Sequence, residues 1–366
     1  MRLGLDGRIL AHSYSGIGCY LTRLMDQFKK IKTGEIFLYS DRPVLPLYHQ
    51  ELEGIKIVVF GEKHRRYWGH WLLADQLRKD KIDLYHATWN KGVPFMAPCF
   101  TVVTVYDIFP LIFPEMFLNQ RRKWKYLYHL FIDGIRADRI ITISECTRQD
   151  LIKKFPLFEK KMVVTLLGID RSEYLNVSQN DIEKWKNHFG LCSPYLISVL
   201  GRLDEKRKNI RCLLEAFAGL RKNHPEVSLV IIGSGMTVQT ENNGFVKILE
   251  NIPRAALISL MQGAEFMVHS TLYEGFGLPI LEAMACDIPV IAGEGSSVSE
   301  IFGGSTLLVN PNDRDALGSS MRRFMEDPSL RSQFKHLGRQ KVEQLSWDKT
   351  AEQTLQIYQQ LLKQAS

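Results

Sequence analysis

Two carboxylates, Glu274 and Glu282, flank a glycine-rich turn in the C-terminal half of the chain. Pro279 predicts that a helix begins here, because proline is well tolerated at the first helical position. No Ser, Thr, Asp or Asn stands in the turn to cap this helix, so a phosphate could accept hydrogen bonds from its first N–H groups. Gly275 and Gly277 allow the backbone to approach such a ligand closely. The alternative is a proline-started core helix with two solvated glutamates, since short motifs also match by chance.

A basic turn lies upstream, directly after the apolar run 195–199, which has the composition of a strand. Ligands of an open parallel sheet bind outside the carboxyl ends of its strands, so Arg202 and Lys208 are placed to bind a phosphorylated group. Arginine offers a planar fork of donors and lysine a point charge. The alternative is a solvated basic turn before a helix predicted over 209–222. Two such sites, each leading into a helix, together favour a ligand.

These sites need strands and helices to position them, and apolar runs alternate with helical patterns in both halves of the chain. This alternation predicts parallel sheets built from βαβ units. The strands predicted in the first half are 3–5, 36–39, 55–59, 84–86, 101–105, 140–143 and 163–165. Those predicted in the second half are 195–199, 228–232, 246–249, 266–269, 289–291 and 306–309. The polar segment 170–187 resembles a linker that leads into a helix, and 347–364 is predicted to be helical.

Composition is that of a globular protein large enough for two domains. The chain has 366 residues, 45% of them hydrophobic and 24% charged. The first residues resemble a strand rather than a signal sequence, and no run approaches the roughly 18 apolar residues of a membrane span. Six scattered cysteines without a Cys-x-x-Cys pair indicate reduced thiols and no zinc site. We therefore expect a cytoplasmic protein.

The net charge of +7 favours anionic partners. Two segments mix basic and aromatic side chains, 63–71 and 121–131. A helix over the second would place Trp124, Leu127, Tyr128 and Phe131 on one stripe. Such a helix can lie in a membrane interface, and contact of 63–71 and 121–131 with the inner face of the membrane would make the protein peripheral. The alternative is an ordinary surface helix whose stripe faces the core. No nucleic-acid recognition motif is present, so we expect no such partner.

The motifs along nearly the whole chain resemble those of the retaining family-4 glycosyltransferases, also described as glycosyl transferases group 1, of the bacterial surface-glycan type. The matching segments are Asp6, 15–20, 104–108, 113–115, 137–145, 168–170, 201–202, 208–209, 274–282 and 289–292. The resemblance implies an α/β fold of the GT-B type, in which two Rossmann-like domains have parallel sheets that face a central cleft. It implies an acceptor-binding domain over 1–170, a nucleotide-sugar-binding domain over 171–348, and a C-terminal helix, 349–366, that returns to the first domain.

The resemblance also implies roles for the residues identified above. Arg202 and Lys208 would stabilise the charge of the leaving diphosphate, Glu274 would bind hydroxyls of the donor sugar, and Glu282 would bind the ribose. The complete donor-binding set is Gly16, Gly18, Gly201, Arg202, Lys208, Gly233, Glu274, Gly275, Phe276, Gly277, Leu278 and Glu282. The alternative for Gly16 and Gly18 is a tight turn with close packing. Gly233, at the end of a predicted strand, would only support the pocket.

Many relatives carry a His-Asp pair after the strand 101–105, whereas this chain has Tyr106 and Asp107. Asp107 is a candidate catalytic residue that would orient hydroxyls, and the alternative is a turn aspartate at a strand end. Tyr106 can still donate a hydrogen bond. His86 and Ser144 are further candidates for contact with the acceptor or the sugar, although a lone histidine is more often structural.

We therefore expect a retaining hexosyltransferase that uses a nucleotide-diphosphate sugar and a glycan or lipid-linked saccharide acceptor in cell-surface polysaccharide synthesis. Analogy with bacterial surface-glycan enzymes favours GDP-mannose as the donor. GT-B enzymes generally need no metal, so we expect no cofactor and interpret Asp313 and Asp315 as helix-capping residues. One alternative is a non-catalytic scaffold or donor-binding partner subunit, suggested by Tyr106. Another is a phosphorylase-like enzyme with a lysine-bound pyridoxal phosphate.

Overall fold

The chain forms two compact units in a computed structural model that describes residues 1–12, 15–61, 71–116, 119–175, 177–191, 194–235 and 244–364. Unit 1 contains Met1–Gly168 and Trp347–Ser366, and unit 2 contains Ile169–Ser346. The chain therefore leaves the first unit, completes the second, and returns to the first with its last helix.

Unit 1 is built on a parallel sheet of seven strands in the order β3-β2-β1-β4-β5-β6-β7. The strands are β1 (Arg2–Asp6), β2 (Glu35–Ser40), β3 (Lys56–Val59), β4 (Leu84–Ala87), β5 (Phe100–Val105), β6 (Arg139–Thr142) and β7 (Met162–Val164). The central strands β4 and β5 are buried along almost their whole length, as expected where helices cover both faces of a parallel sheet. This explains why apolar residues on these strands do not alternate with exposed polar ones, and why the polar His86, Thr101 and Thr104 are also buried.

Within its described residues, unit 1 has six α-helices that connect and flank these strands. They are α1 (Gly16–Ile31), α2 (Leu73–Lys79), α3 (Phe109–Ile112), α4 (Gln120–Arg136), α5 (Glu145–Lys154) and α14 (Trp347–Lys363). Helix α1 begins at Ser15, whose hydroxyl accepts a hydrogen bond from the amide of Gly18, and ends at Lys32 in the left-handed conformation. Its buried stripe, which includes Tyr20, Leu24 and Phe28, packs in unit 1 near α14.

A buried polar network joins α14 to the centre of the unit 1 sheet. His86 has no exposed surface, and its ring nitrogens lie 2.5 Å from the Tyr358 hydroxyl and 2.7 Å from the Thr104 hydroxyl. The Tyr20 hydroxyl lies 3.3 Å from the same Thr104 oxygen. Burial lowers the pKa of His86 to about 3, so the ring is neutral at physiological pH. The last helix is thus attached by specific hydrogen bonds as well as by apolar packing.

Unit 2 repeats this architecture with six parallel strands in the order β10-β9-β8-β11-β12-β13. The strands are β8 (Tyr195–Arg202), β9 (Ser228–Ser234), β10 (Val246–Leu249), β11 (Met267–His269), β12 (Val290–Gly293) and β13 (Leu307–Val309). Renumbered within the unit, this is the 3-2-1-4-5-6 order of a doubly wound nucleotide-binding sheet. The order reverses between β8 and β11, so their carboxyl ends meet at the position where such sheets bind ligands.

The part of unit 2 that the structure describes has eight α-helices around the sheet. They are α6 (Ser172–Leu175), α7 (Gln179–His188), α8 (Ile210–Arg221), α9 (Arg254–Gln262), α10 (Leu278–Ala285), α11 (Ser296–Phe302), α12 (Arg314–Glu326) and α13 (Pro328–Gln344). Side chains of α8 and α12, including Phe217 and Phe324, join β8, β9 and β11 in one apolar cluster. This core fixes the backbone of the strands whose ends carry the polar residues.

The predicted strands are confirmed, with one difference at β8. A strand occupies each of the thirteen predicted positions, seven in unit 1 and six in unit 2. Strand β8 does not end at Val199 but continues to Arg202, with a register shift between Val199 and Gly201 where it pairs with β9. A bulge of this kind redirects the end of a strand, so Arg202 is the last residue of β8 rather than part of the following turn.

Candidate active site

The conserved geometry of a doubly wound sheet brings the predicted residues of unit 2 to one place. Arg202 ends β8, and the segment after β11 leads through Ser270 and Tyr273 to Glu274. The turn 206–208 is attached to that segment by two hydrogen bonds, from the amide of Leu272 to the Arg207 carbonyl and from the Ser270 hydroxyl to the Lys208 carbonyl. The basic turn and the first carboxylate therefore meet at the reversal of strand order.

Glu274 is held by two cations. The Lys208 ammonium lies 2.8 Å from Glu274 Oε1, and the Arg207 guanidinium lies 3.2 Å from Oε2. Arg207 also pairs with Glu205 at 2.8 Å. Only 13% of the Glu274 side chain and 8% of the Lys208 side chain are exposed, so solvent screens their attraction much less than at an open surface. This is a buried ion-pair cluster at the carboxyl ends of the strands.

Backbone contacts fix the Glu274 segment independently of its side chain. The amide of Glu274 donates to the Ser296 hydroxyl at 3.1 Å, and the Ser297 hydroxyl donates to the Glu274 carbonyl at 2.7 Å. Asn209 adopts the left-handed conformation, and its side-chain amide donates to the carbonyls of Ser270 and Pro311. Short polar side chains tolerate this conformation better than most residues, which accounts for asparagine between the basic turn and α8.

The carboxyl group of Glu274 is ionised. Burial raises its pKa, but the charge of Lys208, the neighbouring His269 and the charge of Arg207 outweigh burial and hold the pKa well below the usual range. His269 ends β11 with no exposed surface, and its Nε2 lies 3.3 Å from Glu274 Oε1. Burial lowers the pKa of His269, although Glu274 opposes this shift. The site therefore combines a fixed carboxylate with a neutral imidazole.

Arg202 differs from Lys208 in its exposure. Its side chain is 68% exposed, and its guanidinium donates to both carboxylate oxygens of Asp204, at 3.1 and 2.6 Å. Gly201, directly before it, has a φ of +69°, a left-handed conformation that favours glycine. An exposed ion pair of this kind contributes little to stability, so Arg202 can exchange Asp204 for another anion at little cost.

Gly233 lies beside Gly201 in the β8–β9 ladder. A Cβ atom at Gly233 would lie 2.6 Å from the carbonyl oxygen of Gly201 and 2.6 Å from Leu203 Cδ2. The absence of a side chain at Gly233 therefore allows the strand end that carries Arg202 to approach β9 closely. A supporting role of Gly233 in a donor pocket stays a prediction.

The glycine-rich turn leads into α10 as predicted, although the helix begins one residue earlier, at Leu278. Gly277, the N-cap residue before the helix, has a φ of +101°, and no side chain of the described residues caps the helix. Phe276 is buried and its ring meets that of Phe302 edge to face at 5.9 Å. A ligand can therefore contact only the backbone of Phe276. The same holds for Gly275, which has no side chain.

Glu282 lies in a second polar cluster, on α10. Its Oε1 accepts a hydrogen bond from the Tyr174 hydroxyl at 2.9 Å and one from Arg254 at 3.3 Å. Arg254 also donates to the Tyr174 hydroxyl at 2.6 Å and pairs with Glu173 at 3.3 Å. The second carboxylate of the motif is thus oriented by an arginine and a tyrosine of unit 2.

The N-terminal glycines of unit 1 have different environments. The amide of Gly18 donates to Ser15 at 3.1 Å, and a Cβ atom at this position would lie 3.1 Å from the Tyr48 hydroxyl. This corresponds to the packing alternative for Gly18. Gly16 is exposed at the start of α1, and a donor-binding role for it remains a prediction.

Three of the candidates for acceptor contact are buried in unit 1 with their polar atoms bonded. His86 is engaged by Tyr358 and Thr104, and the Tyr106 hydroxyl donates to the Thr88 carbonyl at 2.7 Å. Ser144 caps α5 by accepting a hydrogen bond from the Thr147 amide at 3.1 Å. This arrangement argues against direct contact between these three side chains and a substrate. The sequence could not reveal this for His86 and Tyr106, because their partners come from other elements, whereas Ser144 caps the helix that directly follows it.

Asp107 is only partly buried and follows β5. Its Oδ1 accepts a hydrogen bond from the amide of Phe109 at 3.3 Å, and its carbonyl accepts one from Asn90 at 3.1 Å. This is the bonding expected of an aspartate in a turn at a strand end. A role in orienting substrate hydroxyls stays a prediction for this residue.

Helix α4 presents a basic and aromatic surface. Trp124 is 69% exposed and Tyr128 59% exposed, whereas Leu127 and Phe131 pack against the core of unit 1. Of the four residues predicted on one stripe of this helix, two therefore face the core and two face the surface. The exposed side also carries Arg121, Arg122, Lys125 and His129. In the other basic and aromatic segment, residues 63–70 lie outside the described residues, and Trp71 is 62% exposed.

Metal-ligating side chains are not grouped in the part of the chain that the structure describes, where no cluster of three or more His, Cys, Asp or Glu residues could hold an ion. Asp313 caps α12 through the amide of Ala316, as predicted. The described cysteines, Cys19, Cys99, Cys146, Cys212 and Cys286, have free thiols. No helix within the described ranges combines the length and hydrophobicity needed to span a bilayer.

Four residues of these clusters were not identified from the sequence: Arg207, His269, Tyr174 and Arg254. Arg207 lies within the basic turn, so its charge was visible but its partner was not. Tyr174 and Arg254 lie far from Glu282 in the chain. His269 ends a predicted strand, and only the chain reversal after β11 brings it to Glu274.

Known structures place this architecture in one class. Over 99% of the chain, the structure aligns with all of Anabaena Alr3699/HepE, solved in complex with UDP-glucose, with a TM-score of 0.78 and 19% identity. WaaG, a glycosyltransferase involved in lipopolysaccharide biosynthesis, aligns over 97% of the chain and 99% of its own length, with a TM-score of 0.75 and 14% identity. Two Rossmann-like units with parallel sheets, matched in this way, define the GT-B fold.

The family follows from sequence comparison. Residues 14–173 match the model described as Glycosyltransferase Family 4, and residues 181–341 match Glycosyl transferases group 1. O-antigen chain mannosyltransferase B of Escherichia coli is 30% identical over 274 residues, which span 71% of this chain and 70% of that protein. The chain belongs to glycosyltransferase family 4. It also matches serotype-specific mannosyltransferase WbdA of Escherichia coli, at 24% identity over 73% of the chain, but spans only 34% of that protein.

Proposed function

We propose that this glycosyltransferase moves a hexosyl group from a nucleotide-diphosphate sugar to a glycan or lipid-linked saccharide, with retention of anomeric configuration and without a metal ion. The transfer would serve the synthesis of a cell-surface polysaccharide. We propose GDP-mannose as the donor, because O-antigen chain mannosyltransferase B and WbdA are both named as mannosyltransferases.

The observation that carries this proposal is the cluster of Lys208, Arg207 and Glu274 at the reversal of strand order in unit 2. Departure of a nucleoside diphosphate generates negative charge, which fixed cations stabilise without reorganisation. A carboxylate beside those cations can accept hydrogen bonds from sugar hydroxyls. The cluster thus supplies both functions that the donor requires.

Arg202 and Lys208 would bind the diphosphate. The Lys208 ammonium has three N–H donors, and its contact with Glu274 uses one of them. Arg202 is exposed and could exchange Asp204 for a phosphate. In this arrangement Lys208 supplies a preorganised charge, and Arg202 closes on the ligand from the surface.

The two carboxylates would bind different parts of the donor beyond its diphosphate. Glu274 would bind hydroxyls of the sugar, and Glu282, held by Tyr174 and Arg254, would bind the ribose. Backbone amides of Gly275 and Gly277 would help to place the phosphates at the uncapped start of α10. Retention is expected if the leaving phosphate assists deprotonation of the acceptor on the same face.

The test begins with a thermal-shift panel of GDP, UDP, dTDP and their sugars, followed by transfer assays with the donor that binds. Lys208→Ala and Arg202→Ala are each expected to reduce kcat by about 100-fold or more, because each removes charge stabilisation of the leaving group. Arg211→Ala is the matched control, since this side chain is 92% exposed and pairs only with Glu215 among its described neighbours.

Full activity in both variants would overturn the assignment of these residues. Donor binding without transfer in the wild type would favour a scaffold or donor-binding subunit. Activity that survives EDTA would support the metal-independent proposal, and loss that added Mg²⁺ or Mn²⁺ restores would contradict it. Inversion of configuration, seen by NMR of the first product, would exclude retention.

We further propose that the exposed side of α4 contacts the inner face of a membrane, where a lipid-linked acceptor would lie. Two exposed aromatic rings beside four basic or titratable side chains suit an anionic interface. The protein should sediment with vesicles of phosphatidylethanolamine and phosphatidylglycerol but not with phosphatidylcholine. The variant Trp124→Ala/Lys125→Ala should bind them less, whereas Arg211→Ala, on α8 of unit 2, serves as a control. Equal sedimentation of all three proteins would contradict this role of α4.

A further inference from the structure

We propose that Arg207 and His269 are positioning residues for the donor sugar. They would hold the Glu274 carboxylate in place, aimed at the sugar hydroxyls, so that Lys208 remains available to the diphosphate. This inference rests on the proposed function of the same site, and it assigns a role to two residues that the motif itself does not include.

Arg207 is anchored on several sides, which suits a residue that orients another. Its guanidinium contacts Glu274 Oε2 at 3.2 Å, Glu205 at 2.8 Å and the carbonyl of Tyr273 at 3.2 Å. Only 12% of its side chain is exposed. Its carbonyl accepts a hydrogen bond from the amide of Leu272. These contacts direct the guanidinium to the carboxylate rather than to solvent.

His269 approaches the other oxygen of the same carboxylate. It is fully buried at the end of β11, and its Nε2 lies 3.3 Å from Glu274 Oε1. Neither ring nitrogen has a well-aligned hydrogen bond to any part of the chain that the structure describes. A buried polar side chain with so few partners calls for an explanation, and its position against Glu274 supplies one.

The chemistry of the donor explains why Glu274 needs partners other than Lys208. A carboxylate close to a diphosphate is repelled by it, and the repulsion is strong where solvent is excluded. Lys208 contacts Oε1 and would also attract the diphosphate, so by itself it would have to divide its charge between the two. Arg207 supplies a second positive charge beside Oε2. His269, at the end of β11, limits the movement of Oε1. Glu274 can then stay in place when the donor binds.

The experiment measures the contribution of the sugar to donor affinity. For the nucleotide selected in the panel, calorimetry gives the Kd of the free nucleoside diphosphate and the Kd of the corresponding nucleotide sugar. The Kd of the nucleoside diphosphate divided by the Kd of the nucleotide sugar reports the contacts made by the sugar alone. It is measured in the wild type, in Arg207→Gln and in His269→Leu.

The ratio is expected to fall by about fivefold or more in Arg207→Gln and His269→Leu, whereas the Kd of the free nucleoside diphosphate changes by less than about twofold. His269→Asn, which keeps a side-chain donor, should recover part of the ratio. Arg211→Gln removes one positive charge from the neighbouring helix α8 at a residue that pairs with Glu215 instead of Glu274. Its ratio should equal that of the wild type. Melting temperatures by circular dichroism establish that each variant is folded.

An unchanged ratio in folded Arg207→Gln would overturn the inference while leaving the proposed function intact. Equal weakening of nucleoside diphosphate and donor in that variant would also overturn it, because Arg207 would then bind the phosphates directly. Failure of the wild type to bind any nucleotide of the panel would instead remove the proposed function itself. If His269→Leu does not fold, Arg207→Gln together with His269→Asn decides the result.

Discussion

Glu274 and Glu282 are both carboxylates at the edges of one turn, yet the structure surrounds them with different partners. Glu274 contacts Lys208 and Arg207, whereas Glu282 contacts Tyr174 and Arg254. Different surroundings at the residue scale imply that the two groups act on different parts of a ligand. Substitution of Glu274 and substitution of Glu282 are therefore expected to change ligand affinity in different ways.

Glu282→Ala should weaken binding of the free nucleoside diphosphate by about tenfold or more, because hydrogen bonds to a charged group are lost. Glu274→Ala should leave that affinity unchanged or increase it, since Lys208 and Arg207 lose the anion that offsets their charge. Calorimetry with the nucleotide and its sugar separates the two effects, and Glu215→Ala, on the surface of α8, is the control. Equal weakening by both variants would contradict the proposed division.

The close approach of Gly201 and Gly233 allows an independent test of the structure at the end of β8. Gly233→Ala should lower the free energy of unfolding by about 1–3 kcal/mol, because its Cβ would lie 2.6 Å from the Gly201 carbonyl oxygen. Gly219→Ala is the control, since among the described residues no atom beyond its chain neighbours and the backbone of α8 lies within 4 Å of its Cβ position. It should increase stability by about 0.5–1 kcal/mol. Urea unfolding measures both, and a neutral Gly233→Ala would contradict the close approach of the two strands.

At the scale of elements, α4 is attached to unit 1 by apolar packing and by one buried carboxylate. Asp133 accepts a hydrogen bond from the amide of Gly92 at 3.0 Å and is only 6% exposed. Burial raises the pKa of Asp133 to about 6, although the amide of Gly92 and Arg136 oppose the shift. The attachment of this helix therefore depends on pH.

The sign of that dependence follows from the raised pKa. The folded state binds the proton of Asp133 more tightly than the unfolded state, so this stabilisation is complete below pH 4 and is lost as the pH rises to about 6. The loss amounts to about 3 kcal/mol. Asp133→Asn should lack it, so its stability relative to the wild type should rise between pH 4 and 7. Glu352→Gln, which changes an exposed carboxylate of the same unit, should show no such trend, and a flat difference for Asp133→Asn would contradict the prediction.

Elements were the features most accessible from sequence. Most strands are rich in apolar residues, and the helices predicted to begin at 209, 279 and 347 begin within one residue of the expected position, as α8, α10 and α14. The difference at β8 has a local cause that composition does not reveal. Gly201 and Arg202 lack strand character, but the register shift beside Gly233 allows them to extend the ladder.

At the scale of the whole molecule, the donor-site candidates in unit 2 come from one continuous segment, whereas unit 1 needs both ends of the chain. A fragment of residues 169–346 is therefore expected to fold alone, since a domain with its own core can do so. It should bind the nucleoside diphosphate with a Kd within about threefold of the full chain. Circular dichroism and calorimetry measure this, with Lys208→Ala in the fragment as the control. A fragment that is folded but binds no nucleotide, when the full chain does, would show that the site needs unit 1.

The sequence by itself determined the two Rossmann-like sheets, the family, and the carboxylates and cations of the motif, because periodicity and motif spacing are properties of neighbouring residues. Only the tertiary structure decided which partner each charged group takes. Arg207 reaches Glu274, Tyr174 reaches Glu282, and His86 is enclosed by Tyr358, which lies 272 residues further along the chain. Burial and pairing depend on contacts between distant segments, so the same histidine that local sequence presents as a candidate ligand is, in the folded chain, part of the core.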